Sequence, residues 1–196
     1  MEQDKQQTTG RWKLLAVLAI CAAPILASYF TYYVIKPESR TNYGTLLDPR
    51  AYPMPALGTT MLDGRAGGLG EYRGKWIMLL TGAADCRESC RRMLYEMRQL
   101  RVAQGKAMDR IERVWLITDQ QPLETVLMRE YDGTRMLRVQ PGVVKAWLPA
   151  EEGATVADHI YLIDPLGNLM MRFPMNADPN LIKKDLAKLL KASSIG

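Results

Sequence analysis

The chain has 196 residues, 47% hydrophobic and 24% charged, a balance typical of a globular protein. Its formal net charge is +5, but the basic residues are scattered among 21 acidic ones. They show neither a long basic run nor the interleaved aromatics of a nucleic-acid site, so no nucleic-acid partner is expected. Three cysteines are too few for a disulfide-rich scaffold, and with a single histidine they restrict metal or redox chemistry to few residues.

An uncharged apolar segment occupies residues 14–35. As a helix it would be about 33 Å long, enough to cross the hydrocarbon core of a membrane and contact its lipid. A cleaved signal peptide, cut after Ala27, is the alternative, although the apolar run continues past that residue. Basic residues flank both ends equally, so charge bias does not decide the orientation. Because a short basic tail before a first helix usually stays in the cytoplasm, we expect residues 1–13 to form a cytoplasmic tail.

Residues 36–70 contain several prolines and glycines and little periodicity, which indicates a tether leading into a domain. Over residues 71–196 the pattern changes to alternating strands and helices, which predicts one folded domain. Nearly continuous apolar runs at 75–80 and 114–118 predict two buried strands. A helix joins them, so the two strands should be parallel, with a right-handed crossover.

The joining helix is predicted to begin at a cysteine. Asp85 is a suitable N-cap, and Glu88 three residues later has the spacing of a capping box. Cys86 would then be the first helical residue. Cys90, four residues on, would share its helix face.

The second half of the domain predicts a helix at 122–131, a β-hairpin from 160–163 and 169–173, and a closing amphipathic helix at 179–191. Residues 132–153 show no clear pattern. The order βαβα, then hairpin, then helix is the thioredoxin pattern. The expected fold is therefore an α/β thioredoxin-like domain preceded by a single transmembrane helix.

The two cysteines of the predicted domain are the candidate catalytic residues. At helical spacing their Cα atoms would be roughly 6 Å apart, which a disulfide can bridge. A helix N-terminus and the neighbouring Arg87 and Arg91 favour a thiolate at Cys86, whereas Asp85 opposes it. Simple packing of both cysteines in the core, or an inert disulfide, are the alternatives.

The same cysteines are candidate metal ligands. Two thiolates and the imidazole of His159 would form a soft site suited to Cu(I), or to Cu(II) with an added ligand, whereas zinc would need a fourth protein ligand. Asp158 could orient the His159 ring. A strand-end histidine with no ligand role is the alternative for His159.

These features together resemble the Sco/SenC proteins: a membrane anchor, a core strand ending in a Cys-x-x-x-Cys turn, and a histidine ahead of the run Tyr161 to Gly167. The resemblance implies a thioredoxin-fold factor for cytochrome c oxidase assembly. It also implies that copper, bound by Cys86, Cys90 and His159, is destined for the binuclear copper site of oxidase subunit II. Subunit II or another assembly factor would be the partner. The protein would lie in the inner membrane, with its soluble domain in the periplasm.

Three functions therefore remain open. The first is a copper chaperone for oxidase assembly, which would be a metallochaperone rather than an enzyme. The second is a thiol–disulfide oxidoreductase in which Cys86 attacks and Cys90 resolves, although that class usually has two residues between its cysteines, not three. The third is a non-catalytic assembly scaffold.

Overall fold

The computed structural model describes residues 2–35, 42–193 and 195, and the chain divides into two compact units, with the boundary after residue 41. In the first unit, helix α1 (Glu2–Phe30) continues into a π-helical turn at Thr31–Ile35. The part from Trp12 to Tyr33 is long and apolar enough to cross a membrane. The expected span at 14–35 therefore lies in this continuous helical segment. The segment begins at Glu2, so it also includes residues 2–13 of the predicted tail.

The second unit is a seven-stranded mixed sheet flanked by helices. Its strands are β1 (Thr45–Leu46), β2 (Thr60–Met61), β3 (Trp76–Gly82), β4 (Ile111–Ile117), β5 (Thr134–Arg138), β6 (Tyr161–Ile163) and β7 (Leu169–Arg172). Its helices are α2 (Glu88–Val102), α3 (Thr125–Glu130), α4 (Pro141–Trp147) and α5 (Pro179–Ala192). The spatial order of strands is β1-β7-β6-β3-β4-β5-β2.

Strand direction follows from the connections. β3, β4 and β5 are parallel, whereas β6 is antiparallel to β3 and forms a hairpin with β7. The predicted parallel pair and the predicted hairpin are therefore both confirmed. The short strands β1 and β2 pair antiparallel to β7 and β5 at the two edges.

Strand β3 lies at the centre because it is apolar on both faces. Trp76, Met78 and Leu80 point into a core layer beneath α2 and α5, whereas Ile77 and Leu79 point into the layer beneath α4. This two-sided burial explains why the strand is a continuous apolar run and not an alternating one. Its carboxyl end leads directly to the cysteine pair.

Residues 42–70, the larger part of the predicted tether and entry segment, contribute to the sheet and to the core. They supply both edge strands, and Leu57 and Leu69 are buried in the core layer beneath α4. The sequence did not predict these strands, because a strand of two residues shows no detectable alternation of apolar and polar residues. The prolines and glycines of the segment indicated a loop instead. Residues 36–41 lie outside the described residues. The unassigned stretch 132–153 contains β5 and α4, and the helix predicted at 122–131 spans only Thr125–Glu130.

Candidate functional site

A disulfide joins Cys86 and Cys90 just beyond the carboxyl end of β3, with their Cα atoms 5.2 Å apart. Cys86 is 1% exposed and belongs to the core layer beneath α2. Cys90 is partly buried and packs against that layer. Of the two cysteines, Cys90 is therefore partly accessible to solvent, whereas Cys86 is buried.

The prediction that Cys86 is the first helical residue is wrong. Helix α2 begins at Glu88, with Arg87 at the N-cap position, and Cys86 lies in the preceding turn with a φ of +27°. Asp85 does not cap the helix, because it lies two residues before the N-cap position; its carboxylate accepts a hydrogen bond from Nε of Arg87 at 3.0 Å. Cys86 thus lies in the turn before α2 and Cys90 in the first turn of the helix, so the two do not share a helix face.

This turn holds its cysteine in a conformation that L-residues seldom adopt. A non-glycine residue at positive φ costs on the order of 1 kcal/mol or more, and such strain persists only where surrounding contacts impose it. Three contacts hold Cys86 in this conformation. They are the disulfide, a hydrogen bond from Cys86 N–H to the carbonyl of Ala83 (3.2 Å), and one from Ala84 N–H to the Asp119 carboxylate (3.1 Å).

The position of the helix start also changes which sulfur the helix can activate. Cys90 lies in the first turn of α2, where the helix dipole favours a negative charge, whereas Cys86 lies outside the helix. Once the disulfide is reduced, the helix dipole therefore favours a thiolate at Cys90 and not at Cys86. A lowered thiol pKa remains a prediction.

Arg91 supports the turn in a way that the sequence did not suggest. Its Nε donates to the carbonyl of Cys86 at 3.0 Å, and its Nη2 lies 3.0 Å from a carboxylate oxygen of Glu124. The hydroxyl of Tyr131 donates to the Arg91 carbonyl at 3.0 Å. Arg91 therefore ties the cysteine turn to the region around α3, so its charge is engaged in positioning the backbone.

Asp119 could have been found from the sequence. It follows the second buried strand by two residues, and the carboxyl ends of adjacent parallel strands meet at one edge of a sheet. That placement brings its carboxylate to the Ala84 N–H next to the cysteine turn.

His159 does not join the cysteines. It is 0% exposed, its Nδ1 lies 2.9 Å from the carbonyl oxygen of Phe173, and its Nε2 accepts the Glu151 N–H at 3.2 Å. This pattern requires the neutral ring with its proton on Nδ1. Burial lowers the pKa of His159 below its ordinary value. Both ring nitrogens are therefore occupied by backbone groups.

Asp158 likewise does not orient that ring. Its carboxylate accepts hydrogen bonds from the hydroxyl (2.7 Å) and the N–H (2.8 Å) of Thr155, and these bonds lower the pKa of Asp158. Among the described residues, no three His, Cys, Asp or Glu side chains are grouped so that they could hold a metal ion. The structure thus brings together two of the three predicted ligands and places the third in a hydrogen-bonded interior position.

Comparisons with known proteins agree with this architecture. Residues 76–193 match the family model described as "Transmembrane-like, thioredoxin-like, C-terminal domain", and residues 4–34 match "Transmembrane-like, N-terminal domain". The second match, with the apolar helix, supports membrane anchoring. A search of proteins with curated functions gives no match.

Several solved structures share the fold. Copper-bound ScoI of Bradyrhizobium japonicum is 21% identical, with a TM-score of 0.51, over 69% of this chain and 96% of that one. Copper-bound yeast Sco1 is 17% identical, with a TM-score of 0.54, over 71% and 96%. A thiol:disulfide interchange protein from Bacteroides sp. is 21% identical, with a TM-score of 0.51, over 71% and 89%. The thioredoxin-like fold expected from the Sco/SenC resemblance is confirmed.

Proposed function

Because the chain belongs to the family with a transmembrane-like N-terminal domain and a thioredoxin-like C-terminal domain, we propose that it is a membrane-anchored assembly factor for cytochrome c oxidase. In its reduced form, Cys86 and Cys90 hold Cu(I) for the binuclear copper site of oxidase subunit II. The domain works in the periplasm, beside the inner membrane. The observation that carries this proposal is the bonded sulfur pair just beyond the carboxyl end of β3, of which Cys90 is partly exposed.

The donor set fits Cu(I) better than the other metals considered. Thiolates are soft ligands that select Cu(I), and reduction of the pair supplies two of them. Tetrahedral zinc would need further protein ligands, and Cu(II) would need at least one nitrogen. His159 cannot give that nitrogen without losing a backbone hydrogen bond. Copper is therefore proposed as a cargo held by sulfur alone.

The disulfide must open before copper binds, because the metal ligand is the thiolate. A thiolate of a partner dithiol attacks Sγ of Cys90, forming a mixed disulfide and releasing Cys86 as a thiolate. The partner's second thiolate then attacks its own sulfur in the mixed disulfide, which releases Cys90 and leaves the partner oxidised. Two electrons pass to the cysteine pair. The exposures favour Cys90 as the sulfur attacked first, so the expected order of Cys86 before Cys90 is reversed here.

A thiol–disulfide oxidoreductase is the second candidate, and the disulfide itself favours it. In that function the same exchange reactions, run on a partner's cysteines, are the activity and not a preparation for metal binding. Subunit II is a suitable partner for either function, because its copper-binding cysteines must be reduced before they accept metal.

The two candidates are separated by titrating the reduced full chain, in detergent and without oxygen, with Cu(I) held by a chromophoric chelator. We expect one tightly bound Cu(I) per chain, lost in Cys86→Ser and in Cys90→Ser. Cys21→Ser is the matched control, because Cys21 is a free cysteine in the apolar helix and should not affect binding. Disulfide reductase turnover without copper binding would replace the first candidate with the second.

A further inference from the structure

The exposed side of helix α5 is strongly basic. Its exposed residues are Pro179, Asn180, Lys183, Lys184, Ala187, Lys188, Lys191 and Ala192. The opposite side packs into the core through Ile182, Leu186 and Leu190. The helix is therefore amphipathic, with four lysines on its polar face.

The acidic residue within α5 is turned inward, so its carboxylate does not lie on the outer face with the lysines. Asp185 is 2% exposed, and its Oδ2 accepts the N–H groups of Tyr43 at 2.7 Å and Gly44 at 2.9 Å. Its other carboxylate oxygen lies 3.5 Å from Nζ of Lys188, whose side chain remains 55% exposed. Asp185 thus fastens the first described residues of the domain to α5.

The lysines are not needed to cap the helix. Nη1 and Nη2 of Arg110 already donate to the carbonyls of Leu190 (2.7 Å) and Ser193 (2.9 Å) at its C-terminal end. The carbonyls at the C-terminal end of α5 are therefore capped by Arg110 and not by the lysines of the outer face.

The chain between the apolar helix and α5 is short. Seven residues, 36–42, separate the end of the apolar helical segment from the residues held by Asp185. Even fully extended, seven residues reach about 25 Å. If the apolar helix spans a bilayer, the residues attached to α5 can therefore lie no more than about 25 Å from the end of that span.

We propose that the lysine face of α5, formed by Lys183, Lys184, Lys188 and Lys191, binds the anionic headgroups of the membrane that holds the anchor. Lysines on the polar face of an amphipathic helix are attracted to anionic lipid, and this attraction is lost within a Debye length and at high salt. The contact fixes which side of the domain faces the bilayer. It does not depend on the proposed copper chemistry.

The test is lysine acylation of the full chain, reconstituted in lipid nanodiscs and read by peptide mass spectrometry. One preparation contains phosphatidylcholine only, and the other contains about 30% phosphatidylglycerol. We expect Lys183, Lys184 and Lys191 to react about three times more slowly in the anionic nanodiscs, and the difference to disappear at high salt. Lys145, exposed on α4 beneath the other face of the sheet, is the internal control and should react equally in both.

A charge-reversal variant makes the test independent of lysine reactivity. In Lys183→Glu/Lys184→Glu, the slower reaction of Lys191 in anionic nanodiscs should be lost, whereas Lys145→Glu should preserve it. Equal acylation of the three lysines in both lipids would overturn the proposal and leave an acidic protein as the occupant of this face. Slowing that persists at high salt would overturn it as well, since headgroup attraction must be screened.

Discussion

Replacing His159 by alanine should destabilise the domain without weakening copper binding. The wild-type ring is 0% exposed and connects the Phe173 carbonyl to the Glu151 N–H. A net hydrogen bond contributes about 1 kcal/mol, and a buried polar group left without a partner costs about 1–3 kcal/mol. With two backbone groups affected, the free energy of unfolding should fall by about 2–5 kcal/mol.

The matched control is His159→Asn, whose side-chain amide can still donate toward the Phe173 carbonyl. It keeps one of the two bonds, so about half of the loss is expected. The measurement is urea unfolding of the oxidised full chain in detergent, followed by tryptophan fluorescence, together with Cu(I) affinity of the reduced chain under native conditions. The reasoning is refuted if His159→Ala loses less than about 1 kcal/mol, or if it stays folded but binds Cu(I) more than about tenfold more weakly.

Three further outcomes follow from the same contacts. The disulfide closes a loop of five residues, so reduction of Cys86–Cys90 should lower the free energy of unfolding by about 2 kcal/mol. Urea unfolding with and without reductant measures this, and an unchanged midpoint would contradict it. Burial lowers the pKa of His159, so as pH falls this histidine takes up a proton in the unfolded chain before it does so in the folded one. The free energy of unfolding should therefore decrease below about pH 6.5. In a pH series of unfolding curves, His159→Asn should flatten this part of the dependence. Asp185→Ala leaves two N–H groups without their charged acceptor, so the free energy of unfolding should fall by about 3 kcal/mol and proteolysis near Tyr43 should become faster. Asp185→Asn keeps an acceptor oxygen and should lose less stability. Equal losses in the two variants would contradict the role of that oxygen.

The central part of the fold could be predicted because its signals are local and strong. The apolar runs around Leu79 and Leu116 are continuous on both faces, and the turn between Ile163 and Leu169 contains proline and glycine. Such patterns fix the type of element. They do not fix the edge strands at 45–46 and 60–61, which are too short for periodicity and exist only because a longer strand is already there to pair with them.

The candidate site was predictable in position but not in geometry. The position of the cysteines directly after an apolar strand located the pair at the strand-to-helix turn, but the capping preference of Asp85 did not set the start of α2, which lies at Glu88. Local hydrogen-bonding preferences of this kind are worth about 1 kcal/mol, so tertiary contacts readily displace them. The place of His159 could not be predicted, because its partners are backbone groups of Glu151 and Phe173, brought together only by the folded chain.

We propose that two sulfurs at the end of β3 hold copper without a ligand from His159. X-ray absorption of the reduced full chain loaded with one Cu(I) measures that ligand set. We predict a first coordination shell of sulfur only, unchanged in His159→Asn and abolished in Cys86→Ser/Cys90→Ser. A nitrogen shell in the wild type that disappears in His159→Asn would show instead that the histidine is a copper ligand.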